Sequence, residues 1–144
     1  MLNTLVVQSK GSGGGVARVS DWTSQLRRGV LELCVLQMLR REPSYGYEIV
    51  TTLNALGPLS AGENTVYPLL RRLRADGLLD TFMRESPNGP PRQYYRLTAD
   101  GRRQLAALSK EWDAMAAAVA QCMSEESHHE PGASRGRSIS RAAE

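Results

Sequence analysis

Six arginines lie within residues 64–97 of the chain, against three acidic residues in the same stretch. They are Arg71, Arg72, Arg74, Arg84, Arg92 and Arg96. Arginine side chains pair with phosphate oxygens and, in the major groove of DNA, with O6 and N7 of guanine. The cluster is therefore typical of a surface that binds nucleic acid, although a solvated face that binds nothing has the same composition.

The composition of the whole chain gives a weaker signal. Its 144 residues carry a net charge of +3 and have an isoelectric point of about 9.1, which is basic but not extreme. Hydrophobic residues make up 41% and charged residues 23%, ordinary values for a globular protein with one modest core. No apolar run approaches the ~20 residues that a membrane span needs, and the N-terminal segment lacks the features of a signal peptide. We therefore expect a cytoplasmic protein without a membrane partner.

The residue types of catalytic and metal sites are scarce. Cys34 and Cys122 lie in apolar helical surroundings without the spacing of a metal site, which predicts two buried free thiols in a reducing cytosol. Histidine occurs only as the adjacent pair His128 and His129, which cannot ligate from one helix face. Neither a phosphate loop nor the residue order of a serine hydrolase is present. We expect no enzyme activity, no cofactor and no metal centre.

Periodic segments predict the elements that position the arginines. A first helix is expected over 26–41, with apolar residues almost all round, as in a helix buried on several sides. Ser44 is expected to cap a second helix, and Thr98 to cap a long last helix over 99–123. The segment 1–20, which contains "SKGSGGG", is expected to be a flexible leader.

The third helix has the most informative spacing. Its apolar face consists of Val66, Leu69, Leu70 and Leu73, which recur at the helical period. Arg71 and Arg72 lie opposite that face. Pro68 is tolerated in a first turn, where amide groups have no intrahelical partner, so the helix is expected to begin near Thr65 with Asn64 or Thr65 as its cap.

Extended structure is predicted after Gly77, which ends the third helix. Residues 78–86 and 92–98 are strand candidates, and the turn "PNGPP" between them predicts a β-hairpin. The hairpin tip, with Asn88 and Arg92, has little bulk and can approach the DNA backbone or minor groove. Three helices followed by a hairpin predict a mainly α (α+β) fold, a winged helix-turn-helix with a two-stranded wing.

Three motifs then carry a resemblance. "YGYEI" at 45–49 is similar to "HGYEI", "NTVYPLLRRL" at 64–73 to "GTLYPxLxRL", and "GPPRQYYRLTADG" at 89–101 to "GPxRKYYxLTxxG". The motifs "HGYEI", "GTLYPxLxRL" and "GPxRKYYxLTxxG" are typical of the PadR family of bacterial transcriptional regulators. The chain resembles that family over about residues 26–115. The resemblance implies binding of double-stranded DNA, usually as a repressor.

The chain departs from the family pattern at four positions. Tyr45 stands for the usual His, Asn64 for Gly, Arg74 for Glu and Gln93 for a basic residue. The third helix is therefore more basic than is usual in the family, and the wing has lost one charge. These changes leave the operator sequence open.

The resemblance and the basic face together predict the DNA-contacting residues. We expect groove and phosphate contacts from the N-terminal half of the third helix up to Arg71, backbone contacts from Arg72 and Arg74, and support from Arg92 in the wing. The predicted residues are Tyr45, Asn64, Thr65, Tyr67, Arg71, Arg72, Arg74, Asn88 and Arg92. Gly46 is expected to be a close packing point between helices rather than a ligand site.

The last helix has a second pattern. Leu105, Leu108, Trp112, Met115, Val119 and Cys122 follow one another at spacings of 3 and 4 residues, as in a coiled-coil seam. We expect this helix to form a homodimer, although the seam could instead pack on its own domain. The resemblance makes Trp112 a candidate for stacking on a planar aromatic effector, but an ordinary dimer-core tryptophan is the favoured interpretation.

The expected organisation has four parts. A DNA-binding domain over 21–98 follows the leader, the dimerisation helix follows it, and a polar disordered tail over 124–144 ends the chain. The alternative function is a winged-helix dimer that binds proteins and not DNA. The basic outer face of residues 64–74 argues against that alternative.

Overall fold

The computed structural model describes residues 13–125. Four helices and a three-stranded antiparallel sheet make up this part of the chain, which confirms the predicted mainly helical winged fold. The elements are α1 (Gly13–Arg41), β1 (Ser44–Tyr45), α2 (Gly46–Asn54), α3 (Glu63–Ala75), β2 (Leu79–Ser86), β3 (Gly89–Leu97) and α4 (Ala99–Glu125), with a 3-10 turn at Gly57–Leu59. The chain forms two compact units, one ending at Ser109 and one beginning at Lys110. None of the described helices combines the length and apolarity that a membrane span requires.

The hydrophobic core of the first unit draws on every helix and on the sheet. Its buried apolar side chains are Leu31, Val35, Leu36, Leu39, Ile49, Val50, Leu53, Ala61, Val66, Leu70, Leu73, Leu79, Tyr95, Leu97 and Leu105. The predicted inner face of α3 is confirmed, because Val66, Leu70 and Leu73 are fully buried and Leu69 packs against them partly exposed. The arginines of α3 are thereby held on its outer side.

Helix α1 begins much earlier than predicted. It starts at Gly13 and not near residue 26, so residues 13–20 are helical where a flexible leader was expected. The glycines end at Gly15, and the segment after them contains neither glycine nor proline until Gly29, so nothing interrupts the helix. The remainder of the predicted leader, residues 1–12, lies outside the described residues.

The segment before α2 is a strand and not a helix cap. Ser44 and Tyr45 form β1, which pairs with Tyr95 and Tyr94 of β3, so the sheet has the order β1-β3-β2. Ser44 does not cap α2, whose N-cap is Tyr45 without a side-chain hydrogen bond. The buried Ser44 hydroxyl instead donates to the Glu48 carboxylate at 2.6 Å. A two-residue strand has no period of its own, so only its pairing with β3 defines it.

Helix α3 begins two residues before the predicted start. Its N-cap is Gly62 and its first residue Glu63, so neither Asn64 nor Thr65 caps it. The amides of Thr65 and Val66 both donate to the Gly62 carbonyl at 3.0 Å. Pro68 is consequently the sixth residue of the helix. The missing N–H of Pro68 deprives the Asn64 carbonyl of its usual partner one turn later.

The end of α3 is tied directly to the start of α4. Gly77 has a φ of +76°, and the Leu78 amide donates to the Leu73 carbonyl at 2.9 Å, which is the hydrogen bond of a Schellman motif. The Thr98 hydroxyl donates to the Gly77 carbonyl at 2.7 Å and accepts from the Gly101 amide at 3.0 Å. Both predicted boundaries, the stop at Gly77 and the cap at Thr98, are confirmed.

Strand β3 begins at Gly89, so Pro90 and Pro91 belong to the strand and not to the turn. The ladder between β2 and β3 is irregular between Arg84 and Ser86, opposite these two prolines. Proline cannot donate to a ladder and is tolerated at such an irregularity. The turn is therefore tighter than the sequence "PNGPP" predicts.

Three predictions for the cysteines and the last helix need correction. Cys122 is exposed in the single chain, whereas Cys34 is half-buried, and burial raises the pKa of its thiol. Leu105 lies in the core of the first unit and does not belong to a free seam. Helix α4 extends to Glu125, so the predicted tail begins later than residue 124, and His128 and His129 lie outside the described residues.

Candidate nucleic-acid interface

The exposed side of α3, made up of its outer face and the flank that carries Tyr67 and Arg74, presents polar and basic side chains without partners among the described residues. Asn64, Arg71 and Arg74 are all exposed, and none of them has an ion pair or side-chain hydrogen bond within residues 13–125. Glu63, in the first turn, is the only acidic residue of the helix. A helix of this kind fits the major groove of B-DNA, where free guanidinium groups can bind guanine or phosphate.

Arg72 lies on the flank of α3 that faces α1, and its guanidinium group is not free. Its Nη2 lies 3.3 Å from Oε2 of Glu32 in α1, and the two side chains are 59% and 27% exposed. Thr65 and Arg72 share this flank with Pro68 and Leu69. Together with Arg28 and Leu31 of α1, these four residues line a surface cleft of about 270 Å³.

Tyr67 lies on the other flank and packs against the start of α2. A Cβ atom added at Gly46 would come within 2.8 Å of Cζ and 2.9 Å of the hydroxyl oxygen of Tyr67, so only glycine leaves room for the ring. The close packing predicted at Gly46 is therefore present. Burial raises the pKa of Tyr67, and nearby Glu63 and Tyr95 raise it further. The half-buried Tyr67 is thus neutral at physiological pH, and its hydroxyl can donate.

The outer face of the sheet has a ladder of cross-strand pairs, which we call the wing ladder. Its pairs are Asp80 with Arg96, Phe82 with Tyr94, and Arg84 with Arg92. Arg96 donates from Nε to Asp80 at 2.6 Å, and the Phe82 and Tyr94 rings stack with centroids 5.6 Å apart. The pair nearest the tip thus brings two cations directly opposite each other.

Aromatic rings hold both of these arginines. The Arg84 guanidinium lies 4.4 Å from the centroid of the Tyr94 ring, and that of Arg92 lies 4.6 Å from the centroid of the Tyr45 ring. Neither arginine has an ion pair in the described part of the chain. Like charges directly opposite in a sheet repel, and an anion between them would remove the repulsion. The predicted residues Tyr45 and Arg92 are therefore brought together at this position, while Asn88 is exposed at the turn.

Three residues of this interface have no role predicted from the sequence. Arg84 faces Arg92 because the short turn pairs Ser86 with Gly89. The sequence of the hairpin could have predicted this register. Arg28 and Glu32 approach α3 from α1 across some forty residues of sequence, as the Arg72–Glu32 separation of 40 illustrates. No local pattern indicates a contact between residues so far apart in the chain.

The residues of the predicted dimer seam divide between the two units. Leu105 is buried and Leu108 is half-buried against the core of the first unit. In the second unit Trp112, Met115 and Val119 are exposed, by 44%, 63% and 53%. The apolar surface available to a partner is therefore the later half of the predicted seam.

The fold and this surface define a winged helix-turn-helix protein in which α3, the recognition helix of that motif, and the wing are both basic. The sequence model of the transcriptional regulator PadR-like family matches residues 35–107. The chain belongs to this family of transcriptional regulators. A relative from Lysinibacillus sphaericus, an uncharacterized protein, is 30% identical over 91 residues, covering 62% of this chain and 84% of the relative.

Solved structures of family members are similar along most of their length. A PadR family transcriptional regulator from Eggerthella lenta is 37% identical with a TM-score of 0.69, covering 76% of this chain and 96% of that one. A PadR-like transcriptional regulator from Bacillus cereus is 35% identical with a TM-score of 0.64, covering 69% and 96%.

Proposed function

We propose that this protein is a sequence-specific DNA-binding repressor. The observation that carries the proposal is the exposed side of α3, where Asn64, Arg71 and Arg74 have neither an ion pair nor a side-chain hydrogen bond within residues 13–125. The α3 side chains would lie in the major groove and the wing arginines would bind the flanking backbone. Because its target is chromosomal DNA, we propose that the protein acts in the cytoplasm.

Selection of bound fragments from a random DNA pool tests this proposal. We expect enrichment of one sequence, which is then bound in a titration far more tightly than a scrambled duplex of equal length. Failure to enrich any sequence, with a folded protein, would contradict DNA recognition and favour the alternative of a protein-interaction module. The matched variant is Arg71→Ala with Arg74→Ala, which removes two charges from the exposed side of α3 and leaves the core untouched.

We propose that the functional form is a homodimer joined through α4. Exposed Trp112, Met115, Val119 and Met123 follow one another at spacings of 3 and 4 residues, and this apolar stripe is unpartnered within the described residues. Within the first unit, Val19, Trp22 and Leu26 of α1 form another exposed apolar stripe. A two-fold dimer would read a palindromic operator, with one half-site for each protomer.

The palindrome and the direction of regulation have their own tests. The enriched sequence is expected to contain two inverted half-sites about one helical turn apart. A reporter gene placed behind this operator is expected to be repressed when the protein is expressed, and the gene neighbourhood is the first place to search for it. Activation of the reporter would contradict the repressor role without contradicting DNA binding.

The proposal also includes a small aromatic effector, which would bind at Trp112. An exposed indole in an apolar stripe can stack on a planar ligand, although the same exposure fits a tryptophan that a dimer buries. Fluorescence titration with planar drugs and phenolic acids distinguishes the two, in a variant whose other tryptophan, Trp22, is replaced by Phe. If one of the compounds is an effector, we expect it to quench the Trp112 fluorescence saturably and to release the protein from DNA. If Trp112 is only part of the dimer core, no compound of a broad panel should do either.

A further inference from the structure

The cleft between α1 and α3 has the chemistry of a second anion site beside the recognition helix. Its polar lining residues are Arg28, Thr65 and Arg72, and its apolar lining residues are Leu31, Pro68 and Leu69. Arg27, the neighbour of Arg28, is occupied, because it donates to the Pro58 carbonyl at 3.2 Å and to the Ser24 hydroxyl at 3.3 Å. Arg28 itself has no ion pair or side-chain hydrogen bond among the described residues.

The position of the cleft matches the path of a DNA strand. The outer face of α3 would lie in the major groove, and the two backbones pass on either side of a helix in that groove. The cleft occupies the flank of α3 that faces α1, so its arginines can bind phosphates of the backbone that passes on that side.

A carboxylate of the protein already pairs with one of these arginines. Oε2 of Glu32 lies 3.3 Å from Nη2 of Arg72, so it takes up a donor that a bound phosphate would need. With 59% of the Arg72 side chain exposed, water screens the ion pair, which is therefore weak and readily exchanged. A DNA phosphate offers the same guanidinium more charge and more acceptor oxygens.

We propose that Glu32 is an internal competitor of DNA, which holds Arg72 in the free protein and must release it when a backbone phosphate enters the α1–α3 cleft. Glu32 thereby lowers the affinity for DNA, and it lies outside the recognition helix and outside every sequence motif. The inference rests on the proposed DNA binding and adds to it a residue that sets the affinity. Arg28 is the second ligand of the same phosphate.

The variant Glu32→Gln tests the proposal, with Glu42→Gln as a matched control. Glu42 directly follows the end of α1 and has no ion pair among the described residues, so its substitution makes the same change in net charge. We expect Glu32→Gln to bind the selected operator about two- to fivefold more tightly, the range that corresponds to an exposed ion pair, and Glu42→Gln to have a smaller effect. Equal gains in both variants would show that net charge alone is responsible and would overturn the proposal.

A second pair of measurements isolates the contact. In an Arg72→Gln background, Glu32→Gln is expected to raise affinity no more than Glu42→Gln does, because the group that it releases is absent and only the change in net charge remains. Arg28→Gln is expected to reduce the magnitude of the log K against log salt slope by about 0.9, the value for one lost phosphate contact. The role of Glu32 would be overturned if Glu32→Gln still gave its full gain in operator affinity without Arg72. The role of Arg28 would be overturned if Arg28→Gln left the salt slope unchanged.

Two outcomes separate this proposal from the one it rests on. If the wild-type protein enriches no DNA, the proposed function fails and the competitor role fails with it. If the wild type binds its operator and Glu32→Gln binds it equally, only the competitor role fails. Saturable binding of inorganic phosphate to Glu32→Gln, at the concentrations of the DNA assay, would indicate a site for free anions and not for DNA. Circular dichroism spectra identical to wild type establish that each variant is folded.

Discussion

At position 71 the guanidinium group is exposed and unpaired within the described residues, whereas the Arg72 group lies 3.3 Å from Glu32. The helical period directs both side chains away from the apolar face, and the sequence predicts groove and phosphate contacts for Arg71 and DNA-backbone contacts for Arg72, but not the ion pair with Glu32. The difference arises from α1, which reaches only the flank that carries Arg72. A helix has two flanks as well as an outer face, and the neighbouring elements decide what each flank contacts.

We predict that Arg71→Ala weakens operator binding more than Arg72→Ala does. Loss of a groove contact by Arg71 should cost about 1–3 kcal/mol of binding free energy, whereas Arg72 must first give up its ion pair before it gains a phosphate. Titrations of both variants against the same duplex, at one salt concentration, measure the difference. Equal losses in the two variants would contradict the distinction between outer face and flank.

A glycine substitution tests the packing that positions Tyr67. Gly46→Ala places a methyl group against the Tyr67 ring, so we predict a loss of about 1–3 kcal/mol in the free energy of unfolding from overpacking. The matched control is Gly29→Ala in α1, where an added Cβ atom meets nothing within 4 Å. There the better helix propensity of alanine should stabilise the protein by roughly 0.5–1 kcal/mol.

Chemical denaturation of the two glycine variants provides the comparison. A combined Gly46→Ala, Tyr67→Ala variant should lose less than the sum of its two single changes, because removal of the ring makes room for the methyl group. If Gly46→Ala proves as harmless as Gly29→Ala, the contact between α2 and the recognition helix is not close, and Tyr67 is free to turn toward DNA.

At the scale of elements, the wing ladder gives the hairpin a proposed role in DNA binding as well as its role in the fold. Arg84 and Arg92 face each other and repel, while their cation–π contacts are worth only about 0.5–1 kcal/mol at exposed sites. We predict that Arg84→Gln leaves the melting temperature nearly unchanged and reduces the magnitude of the salt slope of DNA binding by about 0.9. The pair is thus arranged for an anion from outside the chain.

The control for the wing is Arg96→Gln, on the same face of the same strand as Arg92. Arg96 is already paired with Asp80 at 2.6 Å, so its loss should change the salt slope less than the loss of Arg84 does. Equal changes in slope for Arg84→Gln and Arg96→Gln would mean that the whole face acts through general charge, without a specific contact near the tip.

The elements that the sequence predicts correctly are those with a local signal. The apolar period of α3, the left-handed Gly77 and the cap at Thr98 each act within a few residues of their own position. Strand β1 exists only through its pairing with β3, and Pro90 and Pro91 enter a strand only because the ladder is irregular opposite them. The ion pair that divides Arg72 from Arg71 likewise joins distant parts of the chain.

At the scale of the whole molecule, the exposed apolar stripe of α4 is the surface on which the proposed homodimer depends. Trp112, Met115, Val119 and Met123 are between 44% and 66% exposed, and water is a poor environment for a row of such side chains. The row has no charged member, as expected of the centre of an interface. A second copy of the same stripe is complementary to it under two-fold symmetry.

We predict that Val119→Asp converts the dimer to a monomer, because an uncompensated carboxylate in an apolar interface costs about 3–5 kcal/mol. The matched control, Ala114→Asp, places the same charge on an exposed position on the other side of α4 and should remain dimeric. Sedimentation velocity distinguishes the two. The monomer should keep its folded recognition helix but bind one half-site only. Its affinity for the full operator should therefore fall to its affinity for an isolated half-site, whereas the control should still bind the full operator more tightly than the half-site. A dimeric Val119→Asp variant would place the interface elsewhere, and the exposed stripe of α1 would be the next surface to test.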